Sequence, residues 1–591
     1  MTSTGFEARA TAFSTVTDAL RLRREKQPDE AAYIFLRDGE EPGDTLTYRE
    51  LDDDARSRAA ALAGAGLAGG RAVLLYPSGL EFIRTLLGCL HARIAAAPVQ
   101  VPNRRSSLRR LRRIADDAGT TTVLTTGAIK QRLEADFADA PELHGLVLID
   151  TESLVPPADG WSGAAPEPGD IALLQYTSGS TGDPKGVMVT HANFVANVAE
   201  TEESWPLRTD DVVVSWLPLF HDMGMLFGIM LPLCAGIPAY LMAPEAFIRR
   251  PQRWLRAISR FRGTHAAAPS FAYDLCVRAA ETAPGDALDL SCWRVAANGA
   301  EPVRWHTIEA FTERFAAAGF AAEAMCAGYG LAENTLKATA SVESELPSVR
   351  WVSSRALREG RAEPAVAGAA DVQPLVGSGR AAGRTRVRVV DPQTRALCPP
   401  GVVGEVWIHG PCVALGYLDR AGETAETFAA RIAGDPTDAA YLRTGDLGFL
   451  VDDELYVTGR LKDVIIRSGR NYYPQDIELL AESAAEGLRT NCAAAFSVDD
   501  GRTEQLIVVV EADGRVLRAT GPAQLRDRIH AAIRDGVRLD ADQILLVQRG
   551  TVPRTSSGKV QRRACRSLYL DGQLTAAEPV QPVRAGAADV R

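Results

Sequence analysis

Sixteen residues carry the densest chemistry in the chain: Tyr176-Thr-Ser-Gly-Ser-Thr-Gly-Asp-Pro-Lys-Gly-Val-Met-Val-Thr-His191. Three glycines, four hydroxyl residues and one lysine fall within eleven positions. That composition suits a loop wrapped around phosphate oxygens. Glycine lets backbone amides approach an anion, hydroxyls donate further hydrogen bonds, and Lys185 supplies positive charge. The mononucleotide loop of P-loop NTPases needs Gly directly before the lysine and Ser or Thr directly after it. Here Pro184 precedes Lys185 and Gly186 follows, which excludes that motif. An ordinary Ser/Gly linker is also a poor fit, because apolar segments flank the string closely on both sides.

The elements that must position this loop follow from the local pattern. Ile171-Ala-Leu-Leu174 reads as a short buried strand leading in, and His191-Ala-Asn-Phe-Val-Ala-Asn-Val198 as a helix leading out. Residues 45–76 run strand, helix, strand. Their connection, Gly64-Ala-Gly-Leu-Ala-Gly69, matches the dinucleotide fingerprint by letter, but it leaves a helix and opens a strand, the reverse of what that motif requires. It is expected to be a helix cap and turn. Strands and helices alternate to about residue 340, which indicates layered α/β architecture. Short β runs dominate from 385 to 460 and predict a small β subdomain, and a compact α/β segment follows from about 463 to 570.

Composition narrows the function classes. The chain has 591 residues, is 46% hydrophobic and 24% charged, and carries a net charge of −10. These values fit a soluble globular protein and argue against a general nucleic-acid binder. Nine scattered cysteines without a Cys-x-x-Cys read as reduced thiols in a cytoplasmic protein. Met225–Pro244 lacks any charge for twenty residues, yet Pro232, Gly236 and Pro238 divide it into a buried helix, a turn and a strand, so no membrane span is expected. Six arginines lie between Arg104 and Ile114. Their three-residue apolar spacing predicts a solvated helix face, with a docking patch for an acidic carrier protein as the alternative.

Six further motifs follow the opening loop in order: Leu217-Pro-Leu-Phe-His-Asp-Met-Gly224, Ala297-Asn-Gly-Ala-Glu-Pro302, Gly328-Tyr-Gly-Leu-Ala-Glu-Asn334, Tyr441-Leu-Arg-Thr-Gly-Asp-Leu-Gly448, Gly459-Arg-Leu-Lys-Asp463 and Pro553-Arg-Thr-Ser-Ser-Gly-Lys559. Together they resemble the motif series of the adenylate-forming superfamily, which includes acyl-CoA synthetases, nonribosomal adenylation domains and firefly luciferase. Within it the chain resembles fatty acyl-AMP ligases most, through His221-Asp-Met-Gly224, Arg253-Trp-Leu-Arg-Ala-Ile-Ser259 with Phe271-Ala-Tyr-Asp-Leu-Cys276, Arg470-Asn-Tyr-Tyr-Pro-Gln-Asp-Ile-Glu478, and an insertion at about 343–375.

The resemblance implies an α/β fold: a large AMP-binding domain over 1–461, a mobile α+β domain over 462–570 and a disordered tail over 571–591. It implies two steps. A fatty acid attacks the α-phosphate of Mg-ATP, and the acyl-adenylate then acylates the phosphopantetheine of a separate holo acyl carrier protein. Thr177, Ser178, Gly179, Ser180, Thr181, Gly182 and Lys185 would hold phosphates, and Glu333 with Thr181 would hold Mg²⁺. Gly328, Tyr329 and Gly330 would meet adenine, with Asn298, Gly299, Ala300 and Glu301 along its edge. Asp446 and Arg460 would bind ribose, His221 would line the carboxylate site, Lys559 would be catalytic together with His221 and Lys185, and Lys462 would mark the hinge. In that family a comparable insertion disfavours free coenzyme A. A fatty acyl-CoA synthetase is the alternative, and a catalytically idle nucleotide-binding regulator a further one. Ala266-Ala-Ala268 departs from the small polar or glycine residues of many relatives near the expected acyl tunnel.

Overall fold

The computed structural model describes residues 13–158, 160–178, 184–282, 287–369, 371–467, 470–499, 504–555, 558–574 and 577. The chain divides into two compact units, Met1–Thr458 and Gly459–Arg591.

Two large sheets build the first unit. A six-stranded sheet runs edge to edge through strands Val147–Asp150, Thr122–Thr125, Arg71–Leu75, Ala95–Pro98, Ile171–Ser178 and Pro184–Thr190. Its first five strands are parallel, and the last turns back antiparallel with Thr177 opposite Lys185. The nine-stranded sheet includes four adjacent parallel strands, Val213–Ser215, His265–Ala268, Val295–Asn298 and Met325–Gly330. Strands buried on both faces read as apolar runs, as Val213-Val-Ser and Val295-Ala-Ala do here.

Local chemistry sets the element ends. Helix Tyr48–Gly64 opens with a reciprocal cap: Glu50 N–H donates to Thr47 Oγ1 at 3.2 Å, and Thr47 N–H donates to Glu50 Oε2 at 2.9 Å. It ends where Gly66 enters the left-handed region at φ 76°, so the Gly64–Gly69 fingerprint is indeed a helix terminus. The uncharged stretch is one helical run from Asp222 to Ala235, closed by left-handed Gly236, with a strand at Ala239–Leu241. Pro232 lacks an amide proton, and the helix accommodates it by a wider π-turn over Leu226–Met230. Among the described residues no helix is long and apolar enough to cross a membrane.

The arginine-rich segment forms helix Arg105–Asp117 with Leu108, Leu111 and Ile114 buried beneath it. The expected insertion contains more β structure than its composition suggested. Val349–Ser353 pairs antiparallel with Val372–Val376, and the short helix Ser354–Arg358 lies between them. Strands Arg386–Val390, Gly404–His409, Leu442–Val451 and Glu454–Arg460 form a four-stranded sheet in that order.

In the second unit, strand Glu504–Glu511 pairs antiparallel with Ala493–Asp499 and parallel with Gln543–Val547. Helices Pro474–Ser483 and Pro522–Val537 bury Ile477, Ala481, Leu525, Ile529 and Ile533 in the same core as Leu506, Val508 and Val510. The tail expected to be disordered from residue 571 remains packed at its start. Leu574 packs beside Cys565, and Ala577 N–H donates to the Leu546 carbonyl at 3.0 Å. The rest of the tail, apart from Asp571, Gly572 and Gln573, lies outside the described residues.

Candidate active site

Four parallel strands of the nine-stranded sheet end at one edge, and chemistry-bearing segments follow three of them. Strand Val213–Ser215 leads to His221, Val295–Asn298 to Gly299, Ala300 and Glu301, and Met325–Gly330 to Glu333. Ligands of open α/β sheets bind beyond such carboxyl ends. Close backbone approach fixes two glycines here. A Cβ on Gly299 would lie 2.8 Å from the Gly328 oxygen, and one on Gly330 would lie 2.0 Å from the Leu336 oxygen.

The glycine-rich hairpin reaches this edge from the other sheet. Gln175, on its first strand, donates to the Phe220 carbonyl at 3.1 Å, beside His221. His221 itself pairs through Nδ1 with Asp222 Oδ1 at 2.6 Å. Thr177 and Lys185 face each other across the hairpin. Gly179, Ser180, Thr181 and Gly182 lie outside the described residues, as does the side chain of Ser178.

Lys185 is held by residues that lie outside every motif named above. Its ammonium pairs with Glu423 and lies 5.0 Å over the Tyr417 ring. The Tyr417 hydroxyl donates to Glu333 Oε1 at 2.9 Å. Behind Glu423, Arg420 binds Glu423 Oε1 at 3.0 Å and Asp117 Oδ1 at 2.6 Å, and the Tyr176 hydroxyl donates to Asp117 Oδ2 at 3.0 Å. The segment carrying Tyr417 lies along the outer hairpin strand: Met188 N–H donates to the Gly416 carbonyl at 2.9 Å, and Leu418 N–H to the Gly186 carbonyl at 2.9 Å. The Gly-Tyr-Leu run and a carboxylate six residues on were the available signals.

Glu333 stands on a strained turn. Two residues on, Thr335 has φ 64° and ψ −54°, and Leu336 N–H closes a tight loop onto the Asn334 carbonyl at 2.6 Å. A β-branched residue at positive φ costs on the order of 1–3 kcal/mol, so its surroundings must enforce it. Thr335 Oγ1 donates to the Cys412 carbonyl at 2.7 Å, and Ala414 N–H to the Glu333 carbonyl at 3.0 Å.

Helix His191–Ser204 supplies the rest of the brace. Asn193, Asn197 and Glu200 share one face at helical spacing. Asn193 donates to the Pro411 and Val413 carbonyls at 2.8 and 3.1 Å. Asn197 receives Lys337 N–H at 3.2 Å and donates to the Lys337 carbonyl at 2.8 Å. Glu200 receives Thr385 Oγ1 at 2.7 Å and Arg384 N–H at 3.1 Å. Lys337, buried, donates to the Glu200 carbonyl and to Ser204 Oγ at 2.8 and 2.9 Å, and burial draws its ammonium down to about 8.

Asp446 and Tyr329 meet directly: the phenol donates to Asp446 Oδ2 at 2.7 Å. Glu405, 2% exposed, aims that turn by accepting from Arg443 at 2.9 Å and from Gly445 N–H at 3.1 Å. The expectation for Asn298 and Glu301 needs correction at their side chains. Asn298 is 1% exposed, receives Ser270 Oγ at 3.0 Å and turns toward Met325 Sδ. Glu301 Oε1 accepts Phe271 N–H at 2.7 Å and caps helix Ser270–Thr282. Gly299 N–H donates to the Ala268 carbonyl at 3.3 Å.

In the second unit, Arg460 ends a strand and Lys462 follows in a turn. Lys559 closes a tight loop: Thr555 N–H donates to its carbonyl at 2.8 Å, and its own N–H donates to Thr555 Oγ1 at 3.0 Å. Buried ion pairs brace both flanks. Arg554 binds Glu511 at 2.7 Å, and Arg562 binds both Glu478 oxygens at 2.7 Å. Among the described residues no three His, Cys, Asp or Glu side chains cluster to hold a metal. One hard carboxylate, Glu333, still suits Mg²⁺, which keeps several waters and takes few protein ligands beside phosphates.

Known proteins share this framework. Residues 20–418 match the family model described as AMP-binding enzyme, and residues 462–579 match the one described as Disco-interacting protein 2-like, AMP domain. The medium-chain-fatty-acid–[acyl-carrier-protein] ligase JamA of Moorena producens is 40% identical, covering 95% of this chain and 96% of its own. The long-chain-fatty-acid–AMP ligase FadD26 of Mycobacterium tuberculosis is 35% identical over 94% of this chain and 97% of its own. The crystal structure of the fatty acid AMP ligase from Legionella pneumophila superimposes with a TM-score of 0.74 at 35% identity, covering 96% of this chain and 98% of that one. A structure from studies of fatty acyl-adenylate ligases of E. coli and L. pneumophila reaches 0.85 at 32% identity, covering 95% and 99%. With these matches, the sheet-edge site and its hairpin lysine identify the chain as a member of the AMP-binding, adenylate-forming enzyme family, among its fatty acyl-AMP ligases.

Proposed function

We propose that the protein joins a fatty acid to AMP and then passes the acyl group to the phosphopantetheine thiol of a separate holo acyl carrier protein. The observation that carries this is the continuous contact chain Lys185–Tyr417–Glu333 at the hairpin, in a chain 40% identical to a relative named for carrier-protein ligation.

In the first step a carboxylate oxygen attacks the α-phosphorus, and the bond to the bridging oxygen of the leaving pyrophosphate breaks. Both reactants are anionic, so charge neutralisation and alignment carry the catalysis. Lys185 and Thr177, with the Ser178–Gly182 segment, hold the β- and γ-phosphates. Glu333, with Thr181, holds Mg²⁺, which supplies further neutralising charge when bound. Tyr329 covers adenine, with Gly328, Gly330 and the Asn298–Glu301 backbone around it, and Asp446 and Arg460 take the ribose hydroxyls. His221 lines the carboxylate site, and Lys559 bridges the carboxylate and α-phosphate oxygens as charge moves between them. In the second step the thiol sulfur attacks the acyl carbonyl, loses its proton, and AMP leaves. Lys462 marks the hinge, and the protein works in the cytoplasm.

The fatty acyl-CoA synthetase alternative shares the first step. Incubation with ATP, fatty acid and either coenzyme A or a holo carrier protein separates the two. Acylation of the carrier with little acyl-CoA is expected, and efficient acyl-CoA formation would sink the proposal.

A further inference from the structure

Glu423 is the third residue of helix Ala421–Phe428 and stands against the lysine of the glycine-rich hairpin. Its two oxygens are divided between cations: Oε2 takes Lys185 and Oε1 takes Arg420 at 3.0 Å. Arg420 is fixed in turn by Asp117, and Asp117 by Tyr176. The hydrogen bond from Lys185, reinforced by Arg420, holds the Glu423 carboxyl below the usual range, so it is ionised at neutral pH. The Lys185 side chain is 13% exposed and that of Glu423 40%, so the carboxylate can turn outward while the lysine stays enclosed. An ammonium so enclosed needs an anion beside it, and a phosphate oxygen would fill the same role as this carboxylate.

We propose that Glu423 is an exchangeable counter-ion for Lys185, competing with the β- and γ-phosphate oxygens of the nucleotide and of pyrophosphate. This rests on the assignment of Lys185 to those phosphates. With no nucleotide bound, Glu423 neutralises Lys185 and holds it over the Tyr417 ring. On binding, phosphate displaces the carboxylate, which stays nearby as a like charge. When the P–O bond to pyrophosphate has broken, Glu423 recaptures the ammonium and lowers the affinity for the departing anion. Glu423 makes no bond to the reacting atoms and acts only through the lysine, as a positioning residue.

Binding of inorganic pyrophosphate to the full chain, measured by calorimetry without magnesium, tests this directly. Glu423→Gln should bind pyrophosphate about two- to fivefold tighter, the range expected for removing one partly exposed like charge. Pyrophosphate inhibition of adenylation should rise in parallel, and Glu423→Asp should return toward the parent. A merely structural role predicts the opposite sign, because a loosened Lys185 binds anions more weakly. Unchanged or weaker binding in Glu423→Gln, with Lys185→Ala binding lost, overturns the counter-ion role alone. Parent-like pyrophosphate binding in Lys185→Ala overturns the assignment of Lys185 and the counter-ion role with it.

Discussion

Asn197→Ala is the sharpest test of how the Glu333 turn is held. Asn197 is fully buried, and its amide receives Lys337 N–H at 3.2 Å while donating to the Lys337 carbonyl at 2.8 Å. Truncation leaves the buried Lys337 N–H without that acceptor, which costs about 1–3 kcal/mol. The Lys337 carbonyl keeps a second donor, Asn334 Nδ2 at 2.8 Å, so losing the other bond adds only about 1 kcal/mol. The sum is about 3 kcal/mol, a large share of the 5–15 kcal/mol that holds a domain together. Part of it should appear locally, because Thr335 keeps its positive φ only while its neighbours enforce it. Urea unfolding of Asn197→Ala against the parent gives the stability loss. Pyrophosphate exchange driven by a fatty acid, run across magnesium concentrations, then shows whether more metal is needed for half-maximal rate. A stability loss below about 1 kcal/mol with an unchanged magnesium requirement would refute the brace.

Lys559→Ala should lower adenylation by about a hundredfold or more, as expected for removing one transition-state donor, with ATP binding by calorimetry largely retained. Asp446→Asn should weaken AMP about tenfold or more by removing a charged acceptor, and parent-like AMP affinity would remove Asp446 from the ribose site. Burial holds His91 and His191 down to about 4 and His265 down to about 3. Below pH 6.5 the unfolded chain takes up protons at these groups that the folded chain does not. Stability is therefore full above pH 6.5 and falls as pH drops toward 4, by about 2 kcal/mol per histidine at pH 5 as an upper bound. Unfolding midpoints that stay level from pH 7 to 5 would contradict the burial.

The strand leading into the Lys185 loop and the helix leading out were legible in sequence because each has local causes, an apolar run and a helix start that the structure shows reciprocally capped by Thr190 and Asn193, whereas the return strand Pro184–Thr190 that makes the loop a hairpin was not read. The motif glycines were legible for a related reason, since backbone crowding at Gly330 admits no side chain. What the sequence hid are partnerships across long separations. Glu423 stands 238 residues from Lys185 and Glu200 stands 185 from Thr385. No periodicity marks such a pair, and each residue alone resembles an ordinary surface carboxylate. The strands at Val349–Ser353 and Val372–Val376 were missed because Pro374 and the surrounding alanines and glycines mask their alternation. The side-chain directions of Asn298 and Glu301 depend on Ser270 and Phe271, which no motif records.

The run Leu415–Leu418, laid along the outer hairpin strand, has a practical consequence for dividing this enzyme into pieces. That strand ends its sheet, and an uncovered rim of amide and carbonyl groups is an invitation to misassemble. A fragment stopped before Gly410 would expose the rim and discard the tyrosine and glutamate that steady Lys185. One carried through Thr458, the end of the first compact unit, retains both.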